Sequence, residues 1–219
     1  MDAGEALKRL FAMEDSLSDG EILDFLEREC PLCSGEPTAK AALYNELGSV
    51  CRRNRLFEKG EDAFLAAAKI LEAAGISDGN YATTLNNLAG LYRLAGNYEK
   101  SREYFLRCRE LYFTLPNIPQ DVLASSFNNL GLLYLDEKRY SSAMEEFLEA
   151  EKLISDMPEN RYVHAVTAGN MGYAHYGLGD MERARESMLR AARTASEFDS
   201  EMSENYMRLY RRLGGKEAK

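Results

Sequence analysis

Four stretches of the chain repeat one another at nearly constant spacing, and a fifth repeats them in part. The copies are YNELGSVCRRNRLFE from Tyr44, LNNLAGLYRLAGNYE from Leu85, FNNLGLLYLDEKRYS from Phe127, GNMGYAHYGLGDMER from Gly169 and ENYMRLYRRLGG from Glu204. The equivalent anchor residues Leu47, Leu88, Leu130, Met171 and Tyr206 are 41, 42, 41 and 35 residues apart. Self-similarity at such a period predicts a protein built of stacked repeats.

Each copy places residues of the same type at the same distance from its anchor. The residue after the anchor is small in four copies: Gly48, Ala89, Gly131 and Gly172. Four positions after the anchor there is a larger residue: Cys51, Tyr92, Tyr134, His175 or Tyr210. Eight positions after the anchor there is a turn or polar residue: Arg55, Gly96, Lys138, Gly179 or Gly214. A second helix then carries small and large residues in the pairs Gly60/Phe64, Ser101/Phe105, Ala143/Phe147 and Ala184/Met188. Small residues opposite large ones at helical spacing predict interlocking antiparallel helices that stack.

This pattern resembles the tetratricopeptide repeat (TPR). The match runs residue by residue through Leu88, Ala89, Tyr92, Gly96, Ser101 and Phe105, and again through Leu130, Gly131, Tyr134, Tyr140, Ala143 and Phe147. The long period is similar to that of the kinesin light chain repeats. The resemblance covers about residues 39–215 and implies an all-α fold, a right-handed α-α superhelix of antiparallel helix pairs with a C-terminal capping helix. It also implies an interaction scaffold rather than an enzyme.

The domain organisation follows from the repeat borders. We expect an N-terminal helix pair over 1–38, four repeats over 39–200, a capping helix over 201–215 and a tail over 216–219. The repeats are expected at about 39–79, 80–121, 122–160 and 161–200. Ser18 and Glu21 predict a capping box at the start of the second N-terminal helix. Because Leu7 precedes Leu47 by 40 residues, this pair could alternatively be a degenerate repeat.

Composition narrows the classes of partner and compartment. The chain has a net charge of −9 and a pI near 5.0, which argues against nucleic acid or an anionic membrane as its general partner. No apolar run approaches the ~20 residues of a membrane span, and charged residues interrupt the N-terminus where a signal peptide would be apolar. Four cysteines without a dense pattern fit a reducing compartment. We therefore expect a cytoplasmic protein.

Helical geometry predicts a second face on the first helix of each repeat, opposite the packing face. At about 100° per residue, offsets −5, −1, +2 and +5 from the anchor fall together, on the concave groove that TPR proteins use for peptides. Offset −1 gives the register Asn87, Asn129 and Asn170. Since a carboxamide complements the C=O and N–H of a peptide, these residues are predicted to grip a bound segment, as the kinesin light chain resemblance also implies. The alternative is that they bond to a neighbouring helix.

The neighbours of these asparagines predict specificity. The first part of the groove is predicted to be basic, with Arg52, Arg53 and Arg93. The middle is apolar at Leu132 and Leu135, and the last part is aromatic at Tyr173 and Tyr176. Arginine pairs with carboxylates through two parallel hydrogen bonds. The expected ligand is thus a protein or peptide segment, extended or helical, with acidic and apolar residues. The alternative is that the arginines near residue 52 form a solvated charge run paired with Glu58 and Glu61.

Other chemistry is weakly indicated. Cys30 and Cys33 form a C-x-x-C without the second ligand pair that zinc requires, so metal binding or a reversible disulfide remains an alternative rather than the expectation. His175 is expected in the core, in place of a packing tyrosine. No phosphate loop, nucleophile elbow or metalloprotease motif occurs. We predict no catalytic residues, no cofactor and no metal.

The sequence therefore predicts a scaffold or adaptor that binds a partner protein in a groove. Two other functions stay open. One is a sensor or regulator that closes on a small ligand or signalling peptide, and the other is a structural protein that self-associates into a homo-oligomer. The identity of the partner is not encoded in any motif of the chain.

Overall fold

The computed structural model describes residues 1–13 and 16–215, and the tail predicted over 216–219 lies outside the described residues. These residues form eleven α-helices and no strand, apart from an isolated bridge between Asp2 and Ser34. The helices are α1 Ala3–Met13, α2 Asp19–Glu29, α3 Pro37–Arg53, α4 Phe57–Ala73, α5 Gly79–Leu94, α6 Tyr98–Thr114, α7 Gln120–Asp136, α8 Tyr140–Ile154, α9 Arg161–Gly177, α10 Met181–Ala195 and α11 Ser200–Arg212.

The helices pack as consecutive pairs. In each pair the first helix (α3, α5, α7 or α9) packs most extensively against the second helix that follows it (α4, α6, α8 or α10). The prediction of an all-α fold made of helix pairs is confirmed. The chain divides into two compact units, Met1–Pro116 with α1 to α6 and Asn117–Lys219 with α7 to α11.

The packing face of the repeats consists of close contacts between small and large residues. A Cβ atom added to Gly48 of α3 would lie 2.6 Å from the Phe64 ring of α4, and one added to Gly172 of α9 would lie 2.8 Å from Met188 of α10. Gly131 of α7 meets the Phe147 ring of α8 in the same way. Because these glycines are smaller than any alternative, they let the two helices of a pair approach each other.

The turns after the first helices of the pairs, and the turn after α11, share one backbone conformation. The residues eight positions after the anchors all have positive φ: Arg55 at 59°, Gly96 at 80°, Lys138 at 60°, Gly179 at 82° and Gly214 at 83°. In each turn the next N–H donates to a carbonyl five residues back, for example Arg139 N to Tyr134 O at 2.8 Å. This is the Schellman arrangement, which satisfies the last carbonyls of a helix. Arg55 and Lys138 adopt the left-handed region at a cost of about 1–2 kcal/mol each.

The N-terminal helices share one core with the first repeat. The predicted capping box is present, since Ser18 N donates to Glu21 Oε2 at 2.9 Å and Glu21 N donates to Ser18 Oγ at 3.4 Å. Both α1 and α2 pack against α3. Leu10, Leu26 and Leu43 are buried together there. Whether this pair is a degenerate repeat stays a prediction.

The last helix packs differently from those before it. α11 lies against α10, and Ser203 Oγ donates to Ala192 O at 2.9 Å. The ring of Tyr206 covers Gly169 of α9. No residue of α11 is fully buried, so this helix covers the second unit while keeping much of its own surface exposed.

Candidate binding surfaces on the first helices

The predicted site residues lie on first helices in both units. Arg52 is on α3, and Asn87 and Arg93 are on α5, all in the first unit. The second unit holds the rest, on α7 and α9: Asn129, Leu132, Leu135, Asn170, Tyr173 and Tyr176. Each unit therefore presents its own part of the predicted surface.

In the first unit the end of α3 borders a cavity of about 340 Å³, which we call the arginine cavity. Its lining consists of Arg52, Arg53, Arg55, Phe57 and Leu94. Three arginines and two apolar residues, Phe57 and Leu94, thus share this lining. Of these five residues, Arg52 and Arg53 were predicted for the basic part of the groove, and Leu94 is 44% exposed.

Arg52 is the most enclosed cation of the arginine cavity. Its side chain is half-buried against α5, where a Cβ atom added to Gly90 would lie 3.1 Å from Arg52 Nη1. Burial lowers the pKa of the Arg52 guanidinium, and the positive charges of Arg53 and Arg93 lower it further. The group remains charged at neutral pH, because an arginine starts from a pKa above 12. It is therefore a cation held close to other cations.

The other two arginines of the cavity differ in their partners. Arg53 Nη2 pairs with Asp19 Oδ1 at 3.1 Å, and Asn54 Nδ2 donates to the second oxygen of the same carboxylate at 2.9 Å. The bonds from Arg53 and Asn54 lower the pKa of Asp19. Arg55 is itself the left-handed turn residue described above. In the sequence Arg55 marked only the end of a helix, so its side chain was missed as a lining residue.

The asparagines of the predicted register do not share one environment. Asn87 and Asn129 are half-buried, as a groove residue would be. Asn170 is only 7% exposed, and its Nδ2 donates to Asn128 Oδ1 at 3.2 Å. Asn170 therefore forms a hydrogen bond to a neighbouring helix, as the alternative interpretation of these asparagines expected. Its direct contact with a ligand stays a prediction.

A different asparagine position links the repeats. Two residues before the anchors, Asn45 Nδ2 donates to Thr84 Oγ1 of α5, and Asn128 Nδ2 donates to Thr167 Oγ1 of α9, both at 2.8 Å. The repeat alignment contained this signal, because each asparagine precedes a threonine by 39 residues. These bonds hold neighbouring first helices in register within each unit.

In the second unit the predicted apolar and aromatic residues extend from the core to the surface. Leu132 and Leu135 are half-buried, and Leu135 packs against the cluster around Phe147. Tyr173 and Tyr176 are 43% and 53% exposed. Large exposed aromatic side chains on one face are characteristic of interaction surfaces.

The two exposed tyrosines form one wall of a cavity of about 270 Å³, which we call the tyrosine cavity. Its other lining residues come from α10 and from the last helix and the residue after it: Met188, Leu209, Arg212 and Leu213. The last helix thus completes this part of the surface and adds one guanidinium group. Its contribution was missed, since α11 was predicted only as a cap.

No cysteine or histidine of the described residues lines the arginine cavity or the tyrosine cavity. Cys30 and Cys33 are 2% and 6% exposed in the N-terminal core, and burial and the nearby Cys33 raise the pKa of Cys30 to about 12. His175 is half-buried rather than in the core, and burial lowers its pKa. Within the described residues, no three histidine, cysteine, aspartate or glutamate side chains are grouped as metal ligands. No described helix combines the length and hydropathy needed to cross a bilayer.

Comparison with known families matches tetratricopeptide repeat models to three ranges. One model matches 40–112, and another matches 124–156 and 167–198. These ranges contain α3 to α10 in large part and leave out α1, α2 and α11.

Solved structures with the same helix arrangement come from distant proteins. BtubC (BKLC) from P. vanneervenii is 20% identical with a TM-score of 0.69, covering 90% of this chain and 87% of that one. A signal transduction ATPase with a tetratricopeptide repeat sensor from Pyrococcus horikoshii is 16% identical with a TM-score of 0.72, covering 91% and 29%. The kinesin light chain-like repeats of Podosopora anserina are 11% identical with a TM-score of 0.59, covering 83% and 97%. At these identities the likeness shows the fold.

Proposed function

Because the chain belongs to the tetratricopeptide repeat family, we propose that it is an interaction scaffold that binds a segment of another protein along its first helices. The family generally serves as a non-enzymatic scaffold for protein interactions. The observation that carries the finer proposal is a local reversal of charge. In a chain of net charge −9, several arginines gather on one face of the first unit.

The first unit is proposed to bind acidic residues of the partner. Arg52 lies in the arginine cavity, and the charges that perturb it are those of other arginines. Bringing a partner's carboxylate to such a site relieves repulsion and forms charge-assisted hydrogen bonds. Arg93 contributes a further positive charge beside Arg52.

The second unit is proposed to bind apolar residues of the partner. Tyr173 and Tyr176 are exposed on one side of the tyrosine cavity, and Leu132 and Leu135 continue the apolar character along α7. A cavity of about 270 Å³ has room for a leucine or phenylalanine side chain. Burial of such an anchor would stabilise a complex by about 1.5–3 kcal/mol.

The asparagines are proposed to hold the partner's backbone. Asn87 and Asn129 are half-buried and offer donor and acceptor atoms suited to a peptide group. Asn170 would act behind them, because its bond to Asn128 helps to fix α9 against α7. The bound segment can be extended or helical.

A capture experiment tests this function. The wild-type protein and three variants would be used to retain partners from the producing cells: Arg52→Glu, the double variant Asn87→Ala/Asn129→Ala, and Tyr173→Ser/Tyr176→Ser. Leu148→Ser is the matched control, because Leu148 is 49% exposed on the second helix α8. Circular dichroism would first establish equal helicity.

We expect one or more proteins to be retained by the wild type and by Leu148→Ser, and to be lost or much reduced with the three variants. Direct binding of a retained protein in purified form would follow. Equal retention by all five proteins would show that partners bind elsewhere, and the proposal would then be abandoned.

A further inference from the structure

The arginine cavity carries more positive charge than an ordinary acidic side chain would neutralise. Of its three guanidinium groups, that of Arg53 already has a counter-ion in Asp19. Arg52 and Arg55 form no ion pair among the residues that the structure describes, and the charges acting on Arg52 are cationic. Arg52 and Arg55 therefore leave about two unneutralised positive charges in the cavity.

Glu61 and Glu27 have partners other than these arginines. Glu61 of α4 accepts hydrogen bonds from Tyr92 Oη at 2.6 Å and from Lys100 Nζ at 3.2 Å. Glu27 of α2 pairs with Lys59. Glu61 and Glu27 therefore do not neutralise Arg52 or Arg55. Solvent or a partner must supply the missing negative charge.

The position of Arg55 is costly for an arginine. Its φ is 59°, in the left-handed region where three of the equivalent turns use glycine (Gly96, Gly179 and Gly214) and one uses Lys138. A glycine would fit the same turn without strain. Strained backbone positions are concentrated at functional sites. Arg55 differs from those glycines in bringing a guanidinium group to the arginine cavity.

The charge of the site matches a dianion. The carboxyl end of α3 contributes about −0.5 elementary charge, so Arg52 and Arg55 leave about +1.5. A carboxylate carries a single negative charge and two oxygen atoms. A phosphate monoester carries about −1.5 to −2 charges near neutral pH and three strong acceptor oxygens, which suit several guanidinium groups.

The apolar lining residues of the cavity indicate which chemical group lies next to the bound anion. Phe57 and the exposed Leu94 provide an apolar surface next to the guanidinium groups. A free inorganic anion would leave this surface in water. A phosphorylated side chain with an apolar neighbour would cover it.

We propose that the arginine cavity binds a phosphorylated serine or threonine of a partner protein, with an adjacent apolar residue on Phe57 and Leu94. The inference rests on the proposed function, because it specifies which partner segment the first unit selects. It extends that function by making recognition depend on a modification of the partner.

Three matched peptides test the inference on the 219-residue chain by fluorescence anisotropy. Each is a short labelled peptide with leucines around a central residue, which is phosphoserine, glutamate or serine. We expect the wild type to bind the phosphoserine peptide about tenfold more tightly than the glutamate peptide, since the second charge and third oxygen add contacts. The serine peptide should bind most weakly.

Two variants assign the effect to the cavity. Arg52→Gln and Arg55→Gly should each reduce the preference for phosphoserine over glutamate by about threefold to tenfold. Arg55→Gly removes the charge while relieving the left-handed strain, so the variant should remain folded. Lys138→Gly is its matched control, because it relieves the same strain in a turn of the second unit and should keep the full preference.

Several outcomes would overturn the inference. Equal affinity for the phosphoserine and glutamate peptides would leave the carboxylate-binding function standing and remove the dependence on phosphorylation. A preference that survives both arginine changes would place the anion elsewhere. Inorganic phosphate that binds as tightly as the phosphopeptide would indicate a free anion as the ligand. The capture experiment can fail independently, so the two proposals are separable.

Discussion

The side chain of Asn128 in α7 donates a hydrogen bond of 2.8 Å to Thr167 Oγ1 in α9. Asn128 is only 4% exposed, and its Oδ1 accepts from Asn170. The first unit repeats only the bond to threonine, between Asn45 and Thr84, and the buried Asn45 Oδ1 has no partner among the described residues. A buried polar link between first helices is thus part of what sets the spacing of neighbouring repeats.

Replacement of Asn128 by alanine should therefore destabilise the protein strongly. The buried Thr167 hydroxyl and the Asn170 amide would both lose a partner, which costs about 2–4 kcal/mol of the unfolding free energy. Urea denaturation followed by circular dichroism measures it. Asn45→Ala is the comparison, because Asn45 is only half-buried and its loss should cost less. Equal losses would contradict the importance of burial.

Gly48→Ala should destabilise the first repeat. The added Cβ would lie 2.6 Å from the fully buried Phe64 ring, so the ring or the helix must shift, at a cost of about 1–3 kcal/mol. Gly79→Ala is the control in the same unit, because it begins α5 with no atom near the added Cβ and should leave stability unchanged or higher. Thermal unfolding distinguishes them, and similar melting temperatures would be inconsistent with the tight contact.

Lys138→Gly should stabilise the protein by about 0.5–1 kcal/mol, because glycine adopts the left-handed conformation without a Cβ penalty. The measurement is the free energy of unfolding in urea. Lys138→Ala removes the same charge while keeping the Cβ atom at φ 60°, so it should give no comparable gain. If alanine stabilised as much as glycine, the effect would come from the charge.

Cys30 should be unreactive in the folded protein. Burial raises its pKa to about 12, so the thiolate population near pH 8 is on the order of a thousandfold below that of a free cysteine. Iodoacetamide labelling read by mass spectrometry should modify Cys30 only after urea is added. Ser34→Cys provides an exposed thiol close by, which should react in the folded state. Rapid labelling of Cys30 without urea would contradict the buried placement.

Glu61 should contribute to stability at neutral pH and not in acid. Hydrogen bonds from Tyr92 and Lys100 lower its pKa in the folded protein relative to the unfolded chain. Its contribution is therefore present above the unfolded pKa, about 4.3, and disappears as the pH falls through the lower folded value. Because the carboxylate is half-exposed, Glu61→Gln should cost only about 0.5 kcal/mol at pH 7.

The check is urea denaturation of the wild type and Glu61→Gln at neutral and acidic pH. The difference in unfolding free energy should shrink as the pH drops below about 4. Glu58→Gln alters an exposed carboxylate at the start of the same helix and should change little at either pH. A difference for Glu61 that grew in acid would reverse the assigned sign.

The sequence was sufficient for the packing of the repeats. The small residue after each anchor and the large residue on the second helix predicted contacts such as Gly48 with Phe64, because both are set by helical periodicity. The repeat pattern also predicted the position of the turn. It did not predict the left-handed conformation of Arg55 and Lys138, because these two turns lack the glycine found in the other three. Side-chain type alone does not reveal a strained φ.

The candidate surfaces were only partly predictable. Periodicity placed Tyr173 and Tyr176 on an exposed face, which burial supports. It could not distinguish the buried Asn170 from the half-buried Asn87 and Asn129, because all three occupy the same position in the repeat. It also missed Arg212, since residues brought together from helices far apart in sequence leave no local pattern.

The asparagine links join residues only 39 positions apart, and the bond between Asn170 and Asn128 spans 42. Within each unit, helices pack chiefly against the next helix along the chain. The entropy lost in closing such short loops is modest. Contacts this local favour fast folding. Folding can then start in any repeat and spread to the repeats next to it.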